Sequence, residues 1–148
     1  MKKYLLDTGI IRLIGINENV TKKFISLDQV KGDAYISVLT IHEMYYGLSN
    51  AKNTDYEIMA RRAIDFVKKS FQNHIISITP TTAEIFGEIK SIYKKETGIS
   101  PKNIKKHTID FMIASTAIKE NAILIAHDNI FNIIKDIYTD FQWEDWIN

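Results

Sequence analysis

The sequence predicts an α/β protein built on a parallel sheet covered on both faces. Two observations carry that expectation. Short apolar runs at residues 4–6, 34–37, 74–78 and 122–126 recur along the chain. The longer segments between them repeat their apolar residues at helical spacing, and strands alternating with helices form parallel β-α units. No repeat, low-complexity stretch or Pro/Gly-rich linker divides the 148 residues, so one domain is expected over 1–148.

The elements follow in order. Tyr4-Leu5-Leu6 reads as a short buried strand running into Asp7-Thr8-Gly9, and an apolar helical run covers 10–16. Residues 22–29 form a short amphipathic helix, Lys31-Gly32-Asp33 a turn and 34–37 a second strand. Ile41, Met44, Tyr45 and Leu48 fall at i, i+3, i+4 and i+7, a helix that ends near Ser49-Asn50. Residues 55–70 make another, with Met59, Ala63, Phe66 and Val67 on one side. The β-branched 74–78 segment is a third strand. Thr79 and Pro80 are a cap and first-turn pair, Thr81 and Glu84 have capping-box spacing, and the helix stops at Gly98. Residues 108–120 are a helix with Ile109, Met112, Ile113, Thr116 and Ala117 facing inward, 122–126 a fourth strand, and the aromatic, acidic 138–147 stretch an edge strand.

Composition bounds the function. The chain has no cysteine, which removes thiol catalysis, Fe–S clusters and thiolate metal sites. Its length supports a core burying about two-thirds of the unfolded surface without disulfides or structural zinc. Uncharged runs such as 75–83 and 111–118 fall well short of the roughly 20 apolar residues of a membrane span. Met1-Lys2-Lys3-Tyr4-Leu5-Leu6 begins like an export signal but meets Asp7, so a cytoplasmic protein with no membrane partner is expected. A net charge of +1 argues against coating nucleic acid through bulk charge; such a partner must be engaged locally.

Four acids stand beside apolar, uncharged sequence, where a lone carboxylate is costly to bury. Asp7 follows Tyr4-Leu5-Leu6, and Glu43 is the first acid after Asp33. Asp110 opens Asp110-Phe111-Met112-Ile113-Ala114, and Asp128 follows Ile123-Leu124-Ile125-Ala126-His127. In an open parallel sheet, ligands bind beyond the carboxyl ends of the strands, the edge all four can reach. Taken singly, Asp7 can be a helix cap, Asp110 an acid favoured by a helix dipole, Glu43 a solvated helix position and Asp128 a turn residue. Together they would repel one another unless a divalent cation offset their charge, and all-oxygen ligands suit Mg²⁺ or Mn²⁺.

These segments together resemble the PIN domain, and most closely the small VapC-type toxins of bacterial and archaeal toxin–antitoxin pairs. The matching motifs are Tyr4-Leu5-Leu6-Asp7-Thr8-Gly9 and Ser37-Val38-Leu39-Thr40-Ile41-His42-Glu43 with Gly47-Leu48. Ile109-Asp110-Phe111-Met112-Ile113-Ala114 and Leu124-Ile125-Ala126-His127-Asp128-Asn129-Ile130-Phe131 complete the set. The resemblance implies a three-layer α/β/α, Rossmann-like fold and a metal-dependent ribonuclease. Its acidic quartet falls on Asp7, Glu43, Asp110 and Asp128 as catalytic Mg²⁺ or Mn²⁺ ligands, and its small hydroxyl residue on Thr8, which orients a carboxylate or water. Ala126 departs from the pattern, since many members carry Thr or Ser there. The resemblance further implies water attack leaving a 5′-phosphate and a 3′-hydroxyl, an antitoxin partner that blocks the cleft, and a homodimer.

Substrate handling has a local signal. Five lysines against one glutamate lie between Lys94 and His107, just before Asp110, so Lys102, Lys105, Lys106 and His107 are candidates for guiding a phosphate backbone. A solvated helix end explains the same charges. His42 and His127 each precede a candidate acid, yet neighbours on a helix or strand point apart, so packing or solvent is the expectation for both. Tyr45, Tyr46, Trp143 and Trp146 are candidates for base stacking, core or dimer contact. Competing readings are a housekeeping PIN nuclease of RNA maturation and a non-catalytic binding module. A haloacid-dehalogenase-like phosphatase is a weaker reading because no second Asp follows Asp7 by two residues. Nucleotide binding fails for want of a glycine-rich loop.

Overall fold

Tyr4, Leu5 and Leu6 are all buried, so their strand needs a packed layer on each face. In the computed structural model, which describes residues 1–28 and 32–148, they lie in β1 (Lys2–Leu6), the central strand. The others are β2 (Gly32–Ser37), β3 (Ile75–Ile76), β4 (Ile123–Ile125) and β5 (Gln142–Glu144). Among the described residues the order is β3-β2-β1-β4-β5 and every pairing is parallel. Leu5 pairs with Tyr35 on one side and with Leu124 on the other.

Successive side chains feed opposite layers, as the pleat demands. Leu5 and Leu124 join Ile89, Phe111, Ile113 and Phe131 in one core. That core lies under α5 (Pro80–Thr97), α7 (Thr108–Lys119) and α8 (Asn129–Ile137), with Ile104 added by α6 (Pro101–Ile104). Tyr4, Leu6 and Ile125 join Ile10, Val20, Met44 and Val67 in the other. Those four come from α1 (Thr8–Ile11), α2 (Glu18–Ile25), α3 (Val38–Ser49) and α4 (Thr54–Ser70). Three layers, α/β/α, result.

Several local expectations change. The apolar run at 10–16 is one helical turn followed by turns, because Gly15 takes φ 87° and its N–H donates to Thr21 Oγ1 at 2.8 Å. The next helix starts at Glu18 rather than residue 22, since Asn17 Oδ1 accepts from the Val20 N–H at 3.0 Å. Gln29 and Lys31, placed in a helix and a turn by the sequence, lie outside the described residues. Gly32, expected in that turn, is strand: it pairs with Lys2, and a Cβ there would lie 2.7 Å from the Tyr4 ring. Close backbone approach explains this glycine. The capping box uses Thr79 and Thr82 rather than Thr81 and Glu84, since a helix beginning at Pro80 makes Thr79 the cap. Gly98 ends that helix at φ 66°, as expected. The third strand shrinks to two residues, and the C-terminal edge strand is present.

Candidate active site

The strand order reverses at β1, so a crevice opens at the carboxyl ends of β1 and β4. Asp7 stands at the end of β1, its N–H donating to the Ile125 carbonyl at 2.9 Å. Asp128 lies beyond β4 at the start of α8. Glu43 is in the second turn of α3, and Asp110 in the first turn of α7. Four elements thus bring the four acids to one edge.

Asp7 and Asp128 are both N-cap residues, yet neither side chain caps its helix. At Asn17, Ser37, Asn53, Thr79 and Ser100 the cap side chain does accept from the backbone. The capping explanation for Asp7 therefore falls, and Asp128 does not spend its carboxylate on its helix either.

One side of the cluster is wired by hydroxyls. Thr8 Oγ1 lies 3.2 Å from Glu43 Oε1 and 3.2 Å from Thr40 Oγ1, and its single proton serves either. Thr8 and Thr40 are both buried. On the other side His107 Nδ1 lies 3.6 Å from Asp110 Oδ2, while Asp128 is exposed.

The charges repel. Burial, then the neighbouring Glu43, pushes the Asp7 carboxyl up from 3.8 to about 7; a hydrogen bond from the Thr8 backbone opposes this, and Asp110 and Asp128 add to it. Burial also raises Glu43, against the Thr8 hydroxyl and the Arg12 guanidinium. Asp110 is raised by burial and then by Asp128, with His107 opposing. Three carboxyls on separate elements are thus pushed toward protonation, first by burial and then by one another, a pattern that clusters at functional clefts.

Other candidates divide. Lys102, Lys105 and Lys106 are exposed on the approach to α7, and among the described residues none is in an ion pair. His107 is brought to the site. His42 is exposed and stacks on Tyr46, with ring centroids 6.3 Å apart; His127 pairs with Asp145 Oδ2 at 2.8 Å. His74 donates to the Ala34 carbonyl at 3.0 Å and stacks on Tyr35. Trp146 is core, against Tyr4. Trp143 Nε1–H donates to the Ala126 carbonyl at 3.0 Å, so the backbone at the departing position is tied down from β5.

Sequence reasoning missed Thr40 and Arg12. Thr40 was legible as i−3 from Glu43, on the same helix face. Arg12 carried no comparable signal, because its place depends on how α1 lies against α3.

The donor set is wholly oxygen, which suits a hard divalent cation. Among the described residues no three His, Asp or Glu side chains form a ready-made cage. Mg²⁺ usually binds through one or two carboxylates and keeps several waters, so an open arrangement with surplus negative charge fits it.

The fold and this edge define a class. A PIN-domain family model matches residues 4–137, and the chain belongs to that family. Among solved structures it is similar to VapBC2 from Rickettsia felis, solved bound to a promoter DNA fragment, with TM-score 0.74, 23% identity and coverage of 97% of this chain and 98% of that one. It is similar to VapBC-1 from nontypeable Haemophilus influenzae, with TM-score 0.66, 24% identity and 99% of both chains covered. VapBC-5 of Mycobacterium tuberculosis, a toxin–antitoxin system, gives TM-score 0.68 at 18% identity with 98% of both chains covered. No curated relative matches the chain in sequence. Among the described residues no helix is long and apolar enough to cross a membrane.

Proposed function

We propose that this PIN-domain protein is a Mg²⁺- or Mn²⁺-dependent endoribonuclease and the toxin of a type II toxin–antitoxin pair. The observation that carries the reading is the convergence of half-buried Asp7, Glu43 and Asp110 with exposed Asp128 at the strand ends, Asp7 and Asp128 being cap residues that do not cap. Such an edge is unfavourable alone and becomes favourable with a bound cation. Similarity to VapBC complexes supports the toxin role over housekeeping RNA maturation.

When bound, the divalent ion supplies an activated water at neutral pH and offsets charge on the phosphate oxygens. Asp7 and Asp110 would hold it, Glu43 and Asp128 directly or through water. Thr8 holds Glu43 in orientation. The exposed Lys102, Lys105 and Lys106, with His107, draw the phosphate backbone toward Asp110.

The partner surface is a groove of about 800 Å³ lined by apolar side chains, Ile11, Ile14, Met44, Met59 and Phe66 among them, with Arg12, Lys52 and Arg62 also on its walls. Met59 and Tyr56 on α4 are both more than half exposed there. An antitoxin segment with an apolar face and acidic flanks fits this lining.

The test is cleavage of RNA by purified protein in Mg²⁺ or Mn²⁺. Activity should vanish with chelator and in Asp7→Asn and Asp110→Asn. Cleavage that survives either substitution overturns the mechanism.

A further inference from the structure

Arg12 sits between the carboxylate edge and the apolar groove. It follows α1 by one residue, so it stands one helical turn beyond Thr8, the residue that reaches Glu43. Gly47 stands one turn beyond Glu43 on the same face of α3. The two contacts repeat in register: Thr8 meets Glu43, and Arg12 meets Gly47. A Cβ built on Gly47 would lie 3.3 Å from Arg12 Nη2, a tight contact that the glycine relieves.

This cation is not spent elsewhere. Arg12 is exposed, and among the described residues no carboxylate lies within ion-pair distance of it. Its charge is nevertheless close enough to offset part of the upward shift of Glu43. An unpaired guanidinium one turn from a cluster of acids presents a planar fork of donors to any anion entering the cleft. The lysines of the 102–106 segment approach from the Asp110 side, whereas Arg12 approaches from the Glu43 side. A nucleic-acid strand crossing the carboxylates therefore meets cations on both flanks.

Resting on the ribonuclease reading, we propose that Arg12 is a substrate-binding residue that grips an RNA backbone phosphate on the Glu43 side of the scissile bond, and that Gly47 provides the space for it. The contact is to phosphate, so it adds affinity without reading sequence.

The experiment measures binding of a mixed-sequence single-stranded RNA by fluorescence anisotropy, in Mg²⁺, in the Asp110→Asn background that keeps RNA intact. Arg12→Ala should weaken binding about tenfold and make the salt dependence shallower by about one phosphate contact. Arg12→Lys should recover part of the loss, and Gly47→Ala should weaken binding less, in the same direction. Mn²⁺ affinity, read by thermal shift on the protein with Asp110 intact, should be unchanged or tighter in Arg12→Ala. If Arg12→Ala leaves RNA affinity and salt slope unchanged while Mn²⁺ binds tighter, Arg12 is only a counter-charge for Glu43 and the proposal is wrong. A protein that binds RNA through Arg12 yet cleaves none overturns the ribonuclease reading instead, so the two failures are separable.

Discussion

The two halves of the carboxylate edge are built differently. On the β1–α3 side, Glu43 lies 3.2 Å from the hydroxyl of buried Thr8, which lies 3.2 Å from that of buried Thr40. On the α7–α8 side, Asp110 has only a 3.6 Å approach from His107, and Asp128 is open to solvent. Glu43 and Asp110 are both half-buried, so the halves differ in partners rather than in depth: the first is anchored through a hydroxyl, the second is not.

The largest expected effect cuts across that division, because each half holds one direct ligand and one that acts through water. Asp7→Asn and Asp110→Asn should each lower Mg²⁺-dependent RNA cleavage by about a thousandfold or more, on the order of 4 kcal/mol of transition-state stabilisation. Glu43→Gln and Asp128→Asn should cost about ten- to a hundredfold, as ligands that act through water tolerate more. Initial-rate measurements on one RNA check the order. An Asp128→Asn defect as deep as that of Asp7→Asn would make Asp128 a direct ligand despite its exposure.

Stability against pH comes next, and its sign follows from the raised carboxyls. Asp7 has an ordinary value of 3.8 unfolded and about 7 folded, so between those values the folded state holds a proton the unfolded state has lost. Metal-free stability should therefore be full below about pH 4, decline as pH rises through about 7, and stay low above it. Glu43 and Asp110 are raised as well and act in the same direction. At about 1.4 kcal/mol per pH unit, Asp7 alone costs up to about 4 kcal/mol at pH 8. Thermal melts in chelator should show a higher Tm at pH 5 than at pH 8. Asp7→Asn should raise the Tm at pH 8 and flatten the profile, and Mg²⁺ or Mn²⁺ should stabilise the wild type at pH 8 but not this variant. A flat wild-type profile would mean the charge is dissipated by water instead.

Much of this was legible in the residues. The parallel sheet followed from short apolar strands between helices, and Asp7, Glu43, Asp110 and Asp128 stood out because acids beside apolar runs need a reason. What escaped was set by tertiary contact. The run at 10–16 has helical periodicity, but Gly15 at positive φ breaks it, and Gly32 has turn composition yet sits in a strand against the Tyr4 ring. Asp7 read equally well as a cap; only the unspent side chain removes that option. Trp143 and Trp146 looked alike in sequence, yet one fastens Ala126 and the other fills the core. Arg12 and Thr40 matter through α1 lying in register with α3, which no single segment encodes.

The smallest expected effect asks where the Thr8 proton goes. If it is given to Glu43, Thr8→Val loses the group that holds that carboxylate, and divalent-ion affinity should fall about tenfold. Thr40→Val in the same assay should then change affinity little and cost only about 1 kcal/mol of stability, the net worth of one buried hydrogen bond. If the proton instead goes to Thr40, no hydroxyl donates to Glu43, and neither variant should weaken Mn²⁺ binding appreciably. Isothermal titration of Mn²⁺ into both variants separates the cases. The first outcome keeps the anchored half a direct carboxylate–hydroxyl device. The second makes its rigidity a property of how α1 packs on α3, and Asp128, with no hydroxyl partner, would then differ from Glu43 only in burial.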